Sequence, residues 1–174
     1  DSAGRPAFHV ALSIEMDEAA HTTLQLRSFF RQFPSHRVPP EYFAHLRGDM
    51  SRDDLFASFE HEAGLARDEA WLAELGKVPV PELRRRIEGA IGSRREWVLC
   101  GGPPCQAYSV VGRSRRGGID LSDNRLYLYR EYLEILAAHE PPVFIMENVK
   151  GLLSSTVKEG ALFDRLLADL HAPS

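Results

Sequence analysis

Two short apolar runs, Trp97-Val98-Leu99-Cys100 and Val143-Phe144-Ile145-Met146, bracket a segment of helical periodicity, and that order of elements permits few folds. The intervening segment opens at Asp123, a side chain suited to cap a helix, and carries apolar residues at 126, 129, 133 and 136 before reaching Ala138. Strand, helix and strand in that order predict a βαβ unit. Its right-handed crossover puts both strands in one parallel sheet, ~4.8 Å apart if they are neighbours. Whatever leaves the carboxyl ends of the two strands then projects from a single edge, where open α/β sheets bind their ligands.

The groups that leave those ends are chemically distinctive. The first run continues into Gly101-Gly102-Pro103-Pro104-Cys105-Gln106. Adjacent prolines fix two φ angles and push the preceding glycine out of the helical region, while the glycines permit backbone shapes closed to other residues. Cys105 is therefore presented on a stiff turn. A thiol attacks only as thiolate, which needs a polar, partly exposed setting that a loop beyond a strand supplies and the apolar run around Cys100 does not. A solitary cysteine is more often a small buried hydrophobe, and the flanking turn is what argues otherwise here. The second run ends in Glu147-Asn148-Val149, so a carboxyl group leaves its strand in the same manner, although such a group can also be a plain solvated loop acid.

After the cysteine turn, residues 107 to 118 contain Arg113, Arg115 and Arg116, end in Gly117-Gly118, and show no helical period. They read as a mobile loop able to close over a polyanion, or as a surface loop without function. The net charge of −4 gives no global attraction to nucleic acid, so any such binding needs a local basic patch. With 174 residues, 44% of them hydrophobic, the chain is long enough for one α/β domain with a real core. Two cysteines in unlike settings do not suggest a disulfide framework, and no apolar run reaches membrane-spanning length or resembles a signal peptide. The expected location is the cytoplasm. The seven histidines show no ligand spacing, and no metal site is expected.

Toward the amino terminus, Phe8, Val10, Leu12 and Ile14 alternate with smaller or polar residues and predict a strand that ends in Glu15-Met16-Asp17. A helix should follow from Glu18 to about Phe33, stopped by Pro34. An acid at the end of an early strand suits the ribose hydroxyls of a nucleoside cofactor, or else caps the next helix. Residues 34 to 50 read as a loop with a short helix, ending in Arg47-Gly48-Asp49-Met50. Residues 51 to 95 read as a helical insertion: Ser51 to His61, Leu65 to Leu75 halted by Gly76, and Pro81 to Ile91 halted by Gly92. Its arginines at 84, 85, 86, 94 and 95 alternate with Glu82, Glu88 and Glu96, which favours a solvated face.

Taken together, these residues resemble the cytosine-5 DNA methyltransferase family, in its bacterial form. Gly101 to Ser109 is similar to that family's catalytic Pro-Cys motif, Glu147-Asn148-Val149 to its Glu-Asn-Val motif, and Asp123 to Leu128 to the intervening Asp-x-Arg segment. Ile14 to Asp17 resembles the acidic cofactor motif, and Gly48-Asp49-Met50 more weakly the one that reaches adenine.

The resemblance implies a Rossmann-like, doubly wound, mainly parallel sheet that binds S-adenosylmethionine and acts on double-stranded DNA, with a restriction endonuclease as a further partner. It implies that Cys105 attacks C6 of a flipped cytosine while Glu147 contacts the ring. Pro104, Gln106, Ser109, Asn148, Arg113 and Arg115 would serve substrate binding. Glu15, Met16, Asp49, Met50 and Leu128 would hold the cofactor. The family's glycine-rich first motif is expected before Asp1 and its target-recognition domain beyond Ser174, so the chain is expected to be a central fragment that transfers no methyl group alone. Two alternatives stand beside this: a tRNA cytosine methyltransferase with the same core, and a catalytically silent relative that only binds nucleic acid.

Overall fold

The structure, a computed structural model, describes residues 8–102 and 129–147, together with 156–157, 160–161, 168 and 170. The chain divides into two compact units, Asp1–Val78 and Pro79–Ser174.

In the first unit, β1 (Ser13–Glu15) leads into α1 (Glu18–Arg31) through Asp17, whose carboxylate accepts a 2.8 Å bond from the Ala20 N–H. That bond satisfies one of the amides a helix start leaves unpaired. The helix is the expected one. A second helix, α2 (Pro40–Arg47), starts on a proline and stops at Gly48, whose φ of 84° lies in the left-handed region that a side chain disfavours. Ser51 then caps α3 (Arg52–Ser58) by accepting from the Asp54 N–H at 3.0 Å.

Packing overrides the local pattern at three places. The single helix expected from Ser51 to His61 breaks at Phe59 (φ −138°, ψ 60°), and α4 (Glu60–Glu69) starts beyond it. The break lets the Phe59 ring meet Phe29 and Phe33 edge-on, at 6.0 and 5.7 Å. The helix expected through Leu75 ends at Glu69 instead, because Ala70–Leu72 forms β2 and pairs in parallel with β1, Ser13 opposite Ala70 and Glu15 opposite Leu72. Residues 51 to 95 are thus helical only in part. The strand expected over Phe8–Ile14 contracts to Ser13–Glu15, the stretch that β2 pairs with; Phe8 is 78% exposed, and among the described residues no strand pairs with the positions before Ser13.

Phe29 is the centre of this unit. It is fully buried, and the rings of Phe33, Phe56, Phe59 and Tyr42 surround it with centroids 5.1 to 6.5 Å away. Beside it, Arg31 pairs with the buried carboxylate of Glu69, joining the last residues of α1 and α4. His21 Nε2 lies 3.0 Å from the carbonyl of Ala70, which ties α1 to β2.

The second unit begins with α5 (Val80–Ile91), which buries Leu83 and Ile87 and ends before Gly92. It continues with β3 (Val98–Gly101), α6 (Tyr129–His139) and β4 (Val143–Met146). β3 and β4 are adjacent and parallel, with Val98 opposite Val143 and Gly101 opposite Met146. The expected strand pair forms at the expected positions. The start of the helix expected from Asp123 lies outside the described residues, while α6 buries Tyr132, Leu133, Ile135 and Leu136. A two-residue antiparallel ladder, β5 (Thr156–Val157) with β6 (Gly160–Ala161), completes the unit. The class is mixed α/β with small parallel sheets.

Phe29→Ala should cost ~3–5 kcal/mol, the range for emptying a buried aromatic site, whereas Asp17→Ala should cost only ~1 kcal/mol as a lost cap. Urea unfolding followed by circular dichroism measures both. A Phe29→Ala loss no larger than that of the cap variant would contradict the placement of the core.

Candidate active site

Parallel strands exchange slanted backbone bonds, and the last one in this pair has a consequence for the site. Beyond the ladder, the Glu147 N–H donates to the carbonyl of Gly101 at 3.0 Å. The residue that opens the cysteine turn and the residue that carries the carboxyl are therefore joined directly.

The two glycines of that junction approach neighbouring side chains closely. A Cβ on Gly102 would stand 2.6 Å from Glu147 Cγ and 2.9 Å from its Oε1, well inside van der Waals contact. A Cβ on Gly101 would stand 2.9 Å from Cε2 of Tyr132. The two glycines thus serve two neighbours, one an exposed carboxylate and the other a buried ring.

Tyr132, on α6, is only 6% exposed. Its hydroxyl donates toward the carbonyls of Ile145 at 3.1 Å and Leu99 at 3.3 Å, one on each strand, and its ring meets Phe144 edge-on at 6.4 Å. Burial pushes its phenol up to about 12, with the neighbouring Cys100 thiol adding to the effect because a nearby anion disfavours a second one. The hydroxyl therefore keeps its proton and remains a donor. The apolar stripe in the sequence ran through positions 129, 133 and 136, so Tyr132 was missed. Its spacing of three and four from Ile135 and Leu136 was the available signal.

Of the other expected site residues, four are described, all in the first unit. Glu15 is half-buried, and its Oε1 accepts from the Asp17 N–H at 2.9 Å, which holds the carboxylate in place at the end of β1. Met16 beside it is 56% exposed. Asp49 pairs with Arg47 at 2.9 Å on the surface, an arrangement of little energetic weight that a ligand can displace. Met50 packs against the core around Phe29, and its carbonyl lies 3.0 Å from His45 Nδ1. Pro104, Cys105, Gln106, Ser109, Arg113, Arg115, Leu128 and Asn148 lie outside the described residues. Among the described residues no cluster of three metal-ligating side chains occurs, and no helix is long and apolar enough to cross a membrane.

Comparison with known proteins follows the same residues. The profile of the C-5 cytosine-specific DNA methylase family matches residues 85–172, which include the glycine turn, Cys105 and Glu147. The type II methyltransferase M.HpaII of Haemophilus parainfluenzae is 31% identical over 129 residues, covering 65% of this chain and 35% of its own length. M.SacI of Streptomyces achromogenes is 32% identical over 118 residues, covering 68% and 28%. M.Bpa9945I of Bacillus paralicheniformis is 44% identical over 69 residues, covering 40% and 15%. No solved structure matches the chain. The chain belongs to the C-5 cytosine-specific DNA methylase family. It spans between 15% and 35% of the length of these three relatives.

The raised phenol yields a prediction of defined sign. The ordinary phenol titrates at 10.0 and that of Tyr132 at about 12, so the fold favours the neutral form. That contribution is whole below pH ~10 and is lost as pH rises toward 12. The difference in unfolding free energy between wild type and Tyr132→Phe should be flat below pH ~10 and shrink above it. A difference that stays constant across this window would contradict the burial of the hydroxyl.

Proposed function

We propose that this chain carries the cytosine-activating centre of an S-adenosylmethionine-dependent DNA (cytosine-5-)-methyltransferase, within a doubly wound catalytic domain. The observation that supports this reading most is the junction of Gly101, Gly102 and Glu147. Cys105 follows Gly102 by three residues, and three peptide units span at most ~11 Å. A sulfur within that reach of the carboxyl would suit the two edges of one pyrimidine ring.

In this reading the Cys105 sulfur attacks C6 of cytosine, and the electron pair of the C5–C6 bond shifts toward C5. Glu147 engages N3 and the exocyclic amine, stabilising the charge that develops across the ring. When bound, S-adenosylmethionine would supply an electrophilic methyl group for C5, its sulfonium sulfur keeping the electron pair of the broken S–CH3 bond and leaving as the neutral thioether. Loss of the C5 proton and expulsion of the sulfur restore the aromatic ring. C6 is unreachable inside a duplex, so the base is extruded, at a cost of a few kcal/mol that contacts to the protein offset.

The remaining residues take supporting roles. Pro104 stiffens the cysteine turn, while Gln106, Ser109 and Asn148 contact the substrate and Arg113 and Arg115 the phosphates. Glu15 fits the ribose diol: one carboxylate oxygen is anchored by the Asp17 N–H, and the carboxylate keeps Oε2 to accept hydroxyls. Asp49 leaves Arg47 to accept the adenine amine, and Met16, Met50 and Leu128 are the further residues assigned to the cofactor. A restriction endonuclease of the same system is the expected partner.

The test uses the polypeptide that carries this chain, S-adenosylmethionine, and duplex DNA containing 5-fluorocytosine, whose fluorine blocks the final elimination. A denaturation-resistant protein–DNA adduct is expected, and Cys105→Ala should abolish it. Methylation of ordinary DNA without any adduct would rule out covalent attack. Glu147→Gln should retain DNA binding in a gel-shift assay and slow methyl transfer at least ~100-fold, the lower scale for losing a preorganised electrostatic group.

A further inference from the structure

Tyr132 stands outside the roles assigned above, yet it touches both strands that carry the reactive groups. Its acceptors are Ile145 on β4, two residues before Glu147, and Leu99 on β3, two residues before Gly101. Both carbonyls lie within the paired stretch, and a carbonyl oxygen has two lone pairs, so each can accept from a phenol as well as from the ladder. The strands are four residues long, and Val143, Phe144 and Ile145 are 40 to 57% exposed, so flanking packing holds the pair only lightly. A hydroxyl bridging both strands has correspondingly more influence on their spacing.

Packing alone does not call for that hydroxyl. A phenylalanine would make the same edge contact with Phe144 and would avoid burying a polar atom. Gly101 is the complement of the ring, because any side chain there would overlap Cε2. The ring therefore sits directly over the residue whose carbonyl receives the Glu147 amide.

We propose that Tyr132 is a positioning residue for methyl transfer: its hydroxyl latches the carboxyl ends of β3 and β4, and so sets the separation between the Cys105 turn and the Glu147 carboxyl. The proposal rests on the catalytic reading of those two residues. Tyr132 touches no reacting atom. Its effect is on how often sulfur and carboxyl stand at the separation that one ring requires, which enters the rate of the chemical step and leaves binding of DNA and cofactor alone.

The experiment compares Tyr132→Phe with wild type in the polypeptide that carries this chain. It reads the rate of adduct formation on 5-fluorocytosine DNA, KM for DNA and for S-adenosylmethionine, and the melting temperature. Loss of one buried hydrogen bond should slow adduct formation per folded molecule about 3- to 10-fold, with both KM values within about twofold. A purely structural tyrosine would lower the melting temperature and leave the rate per folded molecule unchanged, which would overturn the proposal.

Gly101→Ala gives an independent check. It should slow adduct formation in the wild-type background and have no further effect in Tyr132→Leu, whose smaller side chain vacates the ring position. Equal slowing in both backgrounds would also overturn the proposal. Cys105→Ala and Glu147→Gln run alongside keep the two readings apart. If those variants lose activity as expected while Tyr132→Phe does not, only the latch fails; if they remain active, the catalytic reading fails and the latch with it.

Discussion

A single backbone hydrogen bond, from the amide of Glu147 to the carbonyl of Gly101, fixes the geometry on which the proposed chemistry depends. It lies one step past the last paired residues of β3 and β4, so it continues the parallel ladder to Glu147. The same junction bears on the glycine pair: Gly101 lies under a buried ring that leaves no room for a methyl group, whereas a methyl group on Gly102 would displace the exposed Glu147 side chain from its present place. The constraint at Gly101 comes from a neighbour about thirty positions away, and not from a positive φ.

The strand pair was legible in the sequence because nothing competes with it. Val143 to Met146 is β-branched and aromatic in character and stands after a proline pair, and the structure begins and ends the strand at those positions. Glu18 to Arg31 was legible for a similar reason, since Asp17 caps one end and Pro34 prevents continuation at the other. The failures fall where distant contacts decide. Nothing local to Phe59 announces that its ring must turn into Phe29 and Phe33 at the expense of a helical turn. Ala70 to Leu72 carries a helical pattern, and only the open edge of β1 converts it to a strand.

Within the candidate site the same division holds. Glu147 was legible from its place after an apolar run, a purely local feature. Tyr132 was not, since its importance comes from two carbonyls on separate strands, 33 and 13 residues away in sequence. A stripe of apolar positions reports which face of a helix is buried and is silent on what a polar tip reaches once there. Glu15 is intermediate: its position at a strand end was readable, but its anchoring by the Asp17 amide, which ties the acid to the same turn that starts α1, is a feature of the folded backbone.

The exposure of Glu147 bears on how such a centre is switched on. A carboxylate in contact with water stabilises a developing charge weakly, because water screens it and must reorganise as charge moves. In the proposed mechanism an extruded base would change this by displacing that water with its own ring, so that the ring edge would become the carboxylate's immediate partner. The protein then has no need to bury the acid in advance, which would cost several kcal/mol or neutralise it. What it would have to supply beforehand is position, and the rung at Gly101 places the Glu147 backbone without desolvating the carboxyl. In that mechanism catalytic power would arise at the moment of base entry, from a group whose backbone is fixed in the sheet and whose carboxyl is left hydrated until then, and DNA that cannot extrude its cytosine would leave the site inert.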